Sequence, residues 1–298
     1  MRMNPFGNRS APDGTTRRRG GGIRWWILLL FAGYAAYYWV SNRTVDPYTG
    51  EKVLIDRNLT AEDEEALGLQ AFEQIVAQEQ VVEPGTEIAT QIRSIADRLV
   101  DKIDEVEGAL AAEHGTSAQA FYEEFDWEVQ VLDSPQVNAF ALPGGKMAVY
   151  TGLVPVAENA DAMAAVMGHE IAHALQRHGA QRMTEQKLAQ IGQMAGAASG
   201  MDAQQMQAVM AVYGYGRALP YARKQETQAD EMGLMLAAAA CYKPEEAMPL
   251  WERMSAASGG GGQPEFASTH PDPGSRIKNL ESLQAKALQY RERFCELE

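Results

Sequence analysis

The stretch MGHEIAHALQRHG, from Met167 to Gly179, places two histidines four residues apart with a glutamate between them. The preceding residues are mostly apolar and rich in alanine, which predicts a buried helix. In a helix, residues four apart are rotated by only about 40° from one another, so His169 and His173 share one face. Two imidazoles on one face can bind a metal ion, with Glu170 as general base toward a metal-bound water. The spacing favours a zinc site over a helix that carries histidines by chance.

A catalytic zinc site needs a third protein ligand and one open position for water. His178 lies nine residues after His169, and Gln176 and Gly179 occupy the positions that carry glycine and histidine in the metzincin pattern, so that class is excluded. We expect His178 to be structural, near the C-terminal end of the helix. His114, in a predicted loop, is a weaker ligand candidate.

The segment ARKQETQADEMGL, residues 222–234, supplies a better third ligand. Glu226 and Asp230 are again four apart on a predicted helix face. A carboxylate ligand from Glu226 would complete a His₂Glu site, and Asp230 would hold the outer nitrogen of a ligand histidine and fix its tautomer. Alone, the segment is also typical of a solvated acidic helix, and only its pairing with the two histidines favours the metal site.

Charge is distributed unevenly along the chain. Residues 1–43 contain seven arginines and one acid, whereas the rest of the chain carries 19 basic and 39 acidic residues. Such an acidic globular part repels phosphates, so we exclude nucleic acid as a partner.

The N-terminal segment combines arginines with an apolar run. From Trp25 to Val40 there are 16 residues without a charge, flanked by aromatic residues. A spanning helix needs about 20 apolar residues and a signal peptide about 7–15. We predict a disordered basic cytoplasmic tail over residues 1–22 and a single-pass transmembrane signal-anchor over residues 23–40 in a bacterial inner membrane, with the catalytic part in the periplasm. A cleaved signal with a soluble periplasmic protein, and a mitochondrial inner-membrane protein, are the alternatives.

The rest of the chain is predicted to be one domain over residues 60–298, preceded by a linker over residues 41–59. Thr60 is an N-cap followed by acidic residues, and a second helix is predicted from Pro84 to about Val106.

Strand signals follow in the middle of the chain. Polar and apolar residues alternate from Trp127 to Val131, which is typical of a half-buried strand. Residues 137–142 and 146–150 flank Pro-Gly-Gly, which predicts a hairpin. After Tyr150 the sequence is predicted to be helical almost to its end.

Four segments, VNAFALPGGKMAVYTGLV, HEIAHALQRHG, ARKQETQADEMGL and STHPDPGSRI, occur in this order. Together they resemble the gluzincin zinc metallopeptidase family of HtpX and the CAAX prenyl proteases, in its Oma-like and BepA-like branch. The resemblance implies an α+β, mainly helical fold with an HExxH zincin core and a small antiparallel sheet, preceded here by one transmembrane helix. CAAX prenyl proteases have many such helices, so prenylated substrates are not expected.

The resemblance also implies roles for single residues. It implies one zinc ion held by His169, His173 and Glu226, with Glu170 as the base. It further implies that His270, in Thr-His-Pro, faces the site and stabilises the oxyanion of the tetrahedral intermediate.

Substrate contacts are implied at two other places. Arg276 would support the oxyanion histidine or the substrate, and the strand around Asn138 and Ala139 would bind the substrate backbone by strand addition. The function expected is that of a membrane-anchored zinc endopeptidase that hydrolyses misfolded envelope proteins in quality control. A latent or non-proteolytic assembly or chaperone-like factor is the alternative, and a homo-oligomer is compatible with the sequence.

The sequence contains only two cysteines, Cys241 and Cys295, both following predicted helices. An oxidising compartment would favour a disulfide between them, with two unrelated thiols as the alternative.

Overall fold

The computed structural model describes residues 23–118, 125–257, 270 and 273–296. Helices dominate these residues, as the sequence predicts. The helices are α1 (Trp25–Ser41), α2 (Ala61–Val76), α3 (Glu87–Val100), α4 (Ile103–Glu113), α5 (Val154–Ala157), α6 (Ala160–Leu175), α7 (His178–Ser199), α8 (Ala203–Tyr213), α9 (Leu219–Ala239), α10 (Ala247–Ala257) and α11 (Pro273–Phe294). The strands are β1 (Arg43–Val45), β2 (Lys52–Leu54), β3 (Glu128–Leu132), β4 (Ala139–Leu142) and β5 (Lys146–Tyr150).

Two of the early helices test the predicted boundaries. Helix α2 begins after Thr60, whose hydroxyl accepts from the backbone N–H of Asp63 at 3.2 Å while the Asp63 carboxylate accepts from the Thr60 N–H. The single helix predicted from Pro84 to Val106 is wrong, because the chain turns between α3 and α4. No glycine or proline marks this turn, and both helices bury apolar residues in the same core.

The predicted hairpin is confirmed, but the larger sheet is mixed rather than antiparallel. Strand β5 pairs antiparallel with β4 and parallel with β3, so the strand order is β3-β5-β4. Gly144 and Gly145 form the turn with φ of 85° and 82°, a region that favours glycine. All five residues of β5 are buried, as befits a central strand, and β4 lies at an edge.

The core is built around α6 and α9, which cross at two glycines. A Cβ on Gly168 would lie 2.6 Å from the carbonyl oxygen of Gly233, so only glycine permits this approach of the two backbones. Helix α6 is buried along almost its whole length, and α9 is buried from its middle to its end. The close crossing brings the histidines of one helix to the carboxylates of the other.

Residues 41–59, predicted to be a linker, are part of the folded structure. Strands β1 and β2 form an antiparallel hairpin, in whose turn the Asp46 carboxylate accepts from the backbone N–H groups of Tyr48 and Thr49. Tyr48, Val53 and Leu54 are buried, so this hairpin contributes apolar surface to the domain. Strands of three residues are too short to show a periodic pattern, which explains the wrong prediction.

Helix α1 lies antiparallel to α7. The backbone N–H of Arg24 donates to Ser199 O at 2.8 Å at one end, and the Lys187 ammonium lies 5.4 Å from the Tyr38 ring near the other. Within the described residues, none of the helices is both long and apolar enough to cross a bilayer. The transmembrane helix predicted over residues 23–40 is therefore not found, since the 17 residues of α1 extend only about 25 Å.

The predicted disulfide between Cys241 and Cys295 is confirmed. It ties the residues that follow α11 to the turn after α9. The bond closes a sequence separation of 54 residues.

Candidate metal centre

Helix α6 presents both predicted ligand histidines on one face. His169 and His173 are 2% and 5% exposed, and their Nε2 atoms lie 3.0 Å apart. Glu170 is also buried, one position along the same helix. The rotation expected for residues four apart therefore places the two imidazoles as the sequence predicts.

Helix α9 brings Glu226 to the same point. One carboxylate oxygen, Oε2, lies 3.4 Å from His169 Nε2, and the other, Oε1, lies 3.5 Å from His173 Nε2. The crossing of α6 and α9 at their glycines places this carboxylate against both rings.

A fourth donor comes from a distant part of the chain. His270 Nδ1 lies 2.8 Å from Glu226 Oε2 and 3.3 Å from His169 Nε2, while its Nε2 lies 3.5 Å from Glu170 Oε1. His270 is 6% exposed. His270 therefore lies within the donor cluster and is closer to the other donors than a residue that only faces the site would be.

The spacing of these donors is suited to zinc. Ligand bonds of about 2.0–2.1 Å in a tetrahedron separate the ligand atoms by about 3.3 Å. The separations named above range from 2.8 to 3.5 Å, and the donor atoms of the four residues all lie within 4.8 Å of one another. Two imidazoles and a carboxylate are the ligand set of many catalytic zinc sites, and His270 lies where a fourth donor could stand.

Behind the donors, Asp230 and Arg276 form a buried ion pair. Asp230 Oδ1 lies 3.2 Å from His169 Nδ1, the outer nitrogen that the sequence assigns to it. Arg276 Nε donates to Asp230 Oδ2 at 3.0 Å, Nη1 lies 3.3 Å from Glu226 Oε2, and the guanidinium carbon lies 3.4 Å from the ring centre of Trp251. Burial acts to raise the pKa of Asp230, but the positive charge of Arg276 prevails and lowers it.

The position of Arg276 bears on its predicted role. The side chain is 3% exposed and contacts the two carboxylates of α9. It does not line the cavity in front of the donors. Arg276 thus contacts Glu226, Asp230 and His169, and its support of the oxyanion histidine or the substrate stays a prediction.

His178 is structural, as expected, but it begins α7 instead of lying near the end of α6, and sequence analysis missed its contact with a ligand histidine. It is fully buried, and its Nδ1 lies 2.8 Å from Nδ1 of His173, the outer nitrogen of a ligand histidine. Burial lowers the pKa of His178 to about 3, so the ring is neutral and can accept the Nδ1–H of His173. This leaves the Nε2 lone pair of His173 for a metal ion. The five-residue spacing from His173 to His178 could have indicated that the two histidines are neighbours, but a helix break lies between them.

Glu170 has the environment of a general base. Burial raises its pKa to about 7, and the nearby charge of Glu226 acts in the same direction, while His270 opposes it. A base whose pKa lies near neutrality exchanges protons efficiently at neutral pH.

The donors open onto a cavity of about 340 Å³. One wall is the edge strand β4 with the residues beside it, including Asn138 and Ala139, and the other is formed by α6 and the start of α7. Glu170 and His270 both line this cavity. The structure thus places the predicted strand beside the donors, with one edge unpaired within the described sheet.

A helix with HEIAH, a second helix with Glu226 and Asp230, and an edge strand beside a buried donor cluster define a metallopeptidase-type site. Residues 101–284 match the model of Peptidase family M48, and the chain belongs to this family. M48 metallopeptidases are zinc-dependent, in agreement with the donor set.

Relatives in two branches resemble the chain. It is 40% identical over 168 residues to the mitochondrial metalloendopeptidase OMA1 of Schizosaccharomyces pombe, covering 56% of this chain and 49% of the relative. It is 36% identical over 182 residues to OMA1 of Homo sapiens, and the match covers 57% of this chain and 34% of the relative. It is 29% identical over 157 residues to the beta-barrel assembly-enhancing protease of Escherichia coli, and the match covers 49% of this chain and 32% of the relative. The chain spans half or less of the length of these relatives, and the predicted Oma-like and BepA-like branch is confirmed.

Proposed function

We propose that this chain is a zinc-dependent endopeptidase. One observation carries the proposal: the side chains of His169, His173 and Glu226 converge at ligand spacing, while the buried Glu170 faces the adjacent cavity without belonging to that ligand set. The family supports the same activity, since its relatives carry the names metalloendopeptidase and protease.

The residues have distinct roles in peptide hydrolysis. His169, His173 and Glu226 would hold a zinc ion, which would supply Lewis acidity toward the substrate carbonyl and the attacking water. Glu170 accepts a proton from the attacking water and delivers it to the amine of the leaving peptide. The unpaired edge of β4 aligns the substrate backbone. Asp230 and His178 fix the outer nitrogens of the two ligand histidines and so keep their Nε2 atoms free for the metal.

His270 is proposed to stabilise the oxyanion of the tetrahedral intermediate. Its position among the donors favours a second role as a fourth ligand at rest, because it lies 2.8 Å from Glu226 and 3.3 Å from His169. A zinc ion with four protein ligands has no open position for water. A resting form closed in this way would be latent. The position of His270 among the donors therefore favours the alternative of a latent or non-proteolytic assembly or chaperone-like factor.

Attachment to a membrane surface is part of the proposal. Helix α1 contacts α7 and exposes large apolar side chains along its length, and exposed apolar patches mark sites of membrane or protein interaction. Arginines in the preceding sequence suit anionic headgroups. The large apolar side chains of α1 that are more than half exposed are Trp25, Trp26, Leu29, Leu30, Tyr34, Tyr37 and Val40.

The biological role proposed is quality control of envelope proteins, with misfolded proteins or peptides as substrates. The support is the likeness to relatives named as mitochondrial and as beta-barrel assembly-enhancing. Both the bacterial inner membrane with a periplasmic domain and the mitochondrial inner membrane are compatible with that likeness.

Hydrolysis of casein by the purified full chain tests the activity. We expect cleavage that stops with a chelator and returns with zinc. Glu170→Gln should abolish cleavage and retain about one zinc ion per chain, because Glu170 is not a ligand in this assignment. Loss of zinc from Glu170→Gln would show that its role is misassigned. Zinc binding by the wild type without any cleavage would favour the assembly factor.

A further inference from the structure

The cavity in front of the donor cluster has an apolar lining with few charges. Side chains such as Phe140 and Leu142 come from β4. Apart from the histidines, the ionisable side chains that line it are Glu170, Arg177 and Arg182. With Glu170 assigned as the base, the charge presented to a substrate depends on the two arginines.

The two arginines differ in how their charge is balanced. Arg177 pairs with Glu64 of α2, its Nε donating to Oε1 at 3.0 Å, and Glu64 is 1% exposed, so this charge is neutralised inside the protein. Arg182 is exposed on α7, and its Nε makes a long contact of 3.4 Å to His178 O. Across the described parts of the chain, no carboxylate lies within ion-pair distance of Arg182. Arg182 therefore presents an uncompensated positive charge to the cavity.

This charge acts close to the proposed reacting groups. Arg182 and Glu170 line the same cavity, so a substrate placed at the proposed base also meets the guanidinium. The rest of the domain is strongly acidic, with 39 acidic and 19 basic residues after residue 43. Charges on the distant surface are screened beyond about 8 Å at physiological salt, so a guanidinium on the cavity wall contributes to the local field that a bound peptide meets.

We propose that Arg182 is a specificity-determining residue through which the cleft selects peptides carrying an aspartate or glutamate near the scissile bond. The inference rests on the proposed peptidase function and names its substrate class. A peptide added to the edge of β4 would be extended, with alternate side chains directed to opposite faces. A single acidic side chain at one position would therefore reach Arg182, on the wall opposite the strand.

The test compares matched peptides on the zinc-loaded full chain. A glutamate is moved through six positions around the cleavage site of a fluorogenic peptide, and each peptide is paired with one that carries glutamine at the same position. We expect the wild type to show a glutamate-to-glutamine ratio of kcat/KM of about 2 to 5 at one position. Arg182→Gln should lower this ratio to about 1, Arg182→Glu should invert it, and Arg182→Lys should retain part of it.

Arg223→Gln is the control, because Arg223 is exposed on α9 and does not line the cavity. It removes the same charge and should leave the ratio unchanged. Peptide affinities measured by fluorescence anisotropy on Glu170→Gln should show the same preference without turnover. Cleavage with no preference at any position, or a preference that survives in Arg182→Gln, would overturn this inference alone. Absence of both cleavage and peptide binding would overturn it together with the proposed function.

Discussion

A buried carboxyl group remote from the metal centre gives a quantitative prediction for stability. Glu107 lies on α4 and is 1% exposed. Burial raises its pKa to about 8, the hydrogen bond from the Tyr48 side chain opposes this rise, and the charges of Asp104 and Asp46 add to it. The carboxyl group is therefore mostly protonated in the folded protein at pH 7, whereas it is ionised in the unfolded chain.

The sign and size of the effect follow from linkage. Below about pH 4.5 both states bind the proton, and this group contributes no pH dependence. As the pH rises from 4.5 to 8, only the unfolded state releases the proton, so the free energy of unfolding falls by about 1.4 kcal/mol per unit. The loss reaches about 4–5 kcal/mol at pH 8 and then stops, because both states are ionised.

Glu107→Gln should remove this dependence, since an amide fills the same volume, can accept the Tyr48 hydrogen bond and does not titrate. We expect the variant and the wild type to be similar at pH 5, with the variant more stable by several kcal/mol at pH 8. Urea unfolding of the full chain, followed by circular dichroism at constant zinc, measures both proteins between pH 5 and 8.

Glu105→Gln is the matched control, on the same helix but paired with Lys102 near the surface. Other pH-dependent contributions, including that of the metal site, cancel in the difference between each variant and the wild type. If the stability difference of Glu107→Gln does not change with pH, or changes as it does for Glu105→Gln, the buried carboxyl is not protonated in the folded state and the reasoning is refuted.

Other predictions concern the metal site and the disulfide. Glu226→Ala should lose zinc, and Asp230→Asn should weaken zinc binding about 10–100-fold, as measured by zinc titration; full occupancy in Glu226→Ala would exclude it as a ligand. His178→Phe should weaken zinc binding about 10–100-fold with unchanged circular dichroism, while His178→Gln keeps an acceptor and should recover part of the affinity. His270→Ala should lower turnover about 10²–10³-fold with zinc retained, and a sharp fall in zinc affinity would instead identify a fourth ligand. Cys295→Ser should lower the free energy of unfolding by about 4 kcal/mol, because the unfolded chain loses a 54-residue link; urea unfolding without reductant checks this.

The two helices that carry the ligands could be predicted because the spacing of their functional residues lies within a short stretch of sequence. The spacing of His169 and His173 determines their common face whatever the rest of the chain does. The same holds for Glu226 and Asp230. That the two helices meet depends on contacts distant in sequence, notably the approach of α6 and α9 at their glycines. The family resemblance, and not the spacing, implied this meeting.

His178 could not be placed because the helix break before it carries no sequence signal. Arg177 adopts a left-handed conformation with φ of 53°, which a residue other than glycine seldom takes. Without that break, a histidine five positions after His173 would continue the same helix and point elsewhere. The break instead starts a new helix, whose first residue turns back to His173. Arg177 pairs with the buried Glu64, which explains why an arginine occupies this left-handed position.

The sheet shows a second limit of the sequence. Alternation over residues 127–131 predicts a strand and its buried face, but it carries no information on direction. Strand β3 pairs parallel with β5 because the chain between β3 and β4 crosses to the far side of β5. This crossing leaves β4 at the edge beside the donors, where the proposed peptide binding would take place. The topology therefore matters to the proposed function, although no local pattern predicts it.

The charge balance of the metal centre also arises from distant parts of the chain. When ionised, Glu170, Glu226 and Asp230 place three negative charges in a buried site, and His173 is neutral because burial lowers its pKa. A bound zinc ion would supply two positive charges beside that of Arg276, and together these would offset the three carboxylates. A buried charge without compensation costs several kcal/mol, which explains a guanidinium this deeply buried and held by two carboxylates and Trp251. Arg276 therefore contributes to the metal site by its charge as well as its position, because it offsets part of the negative charge that the carboxylates bring to the buried site.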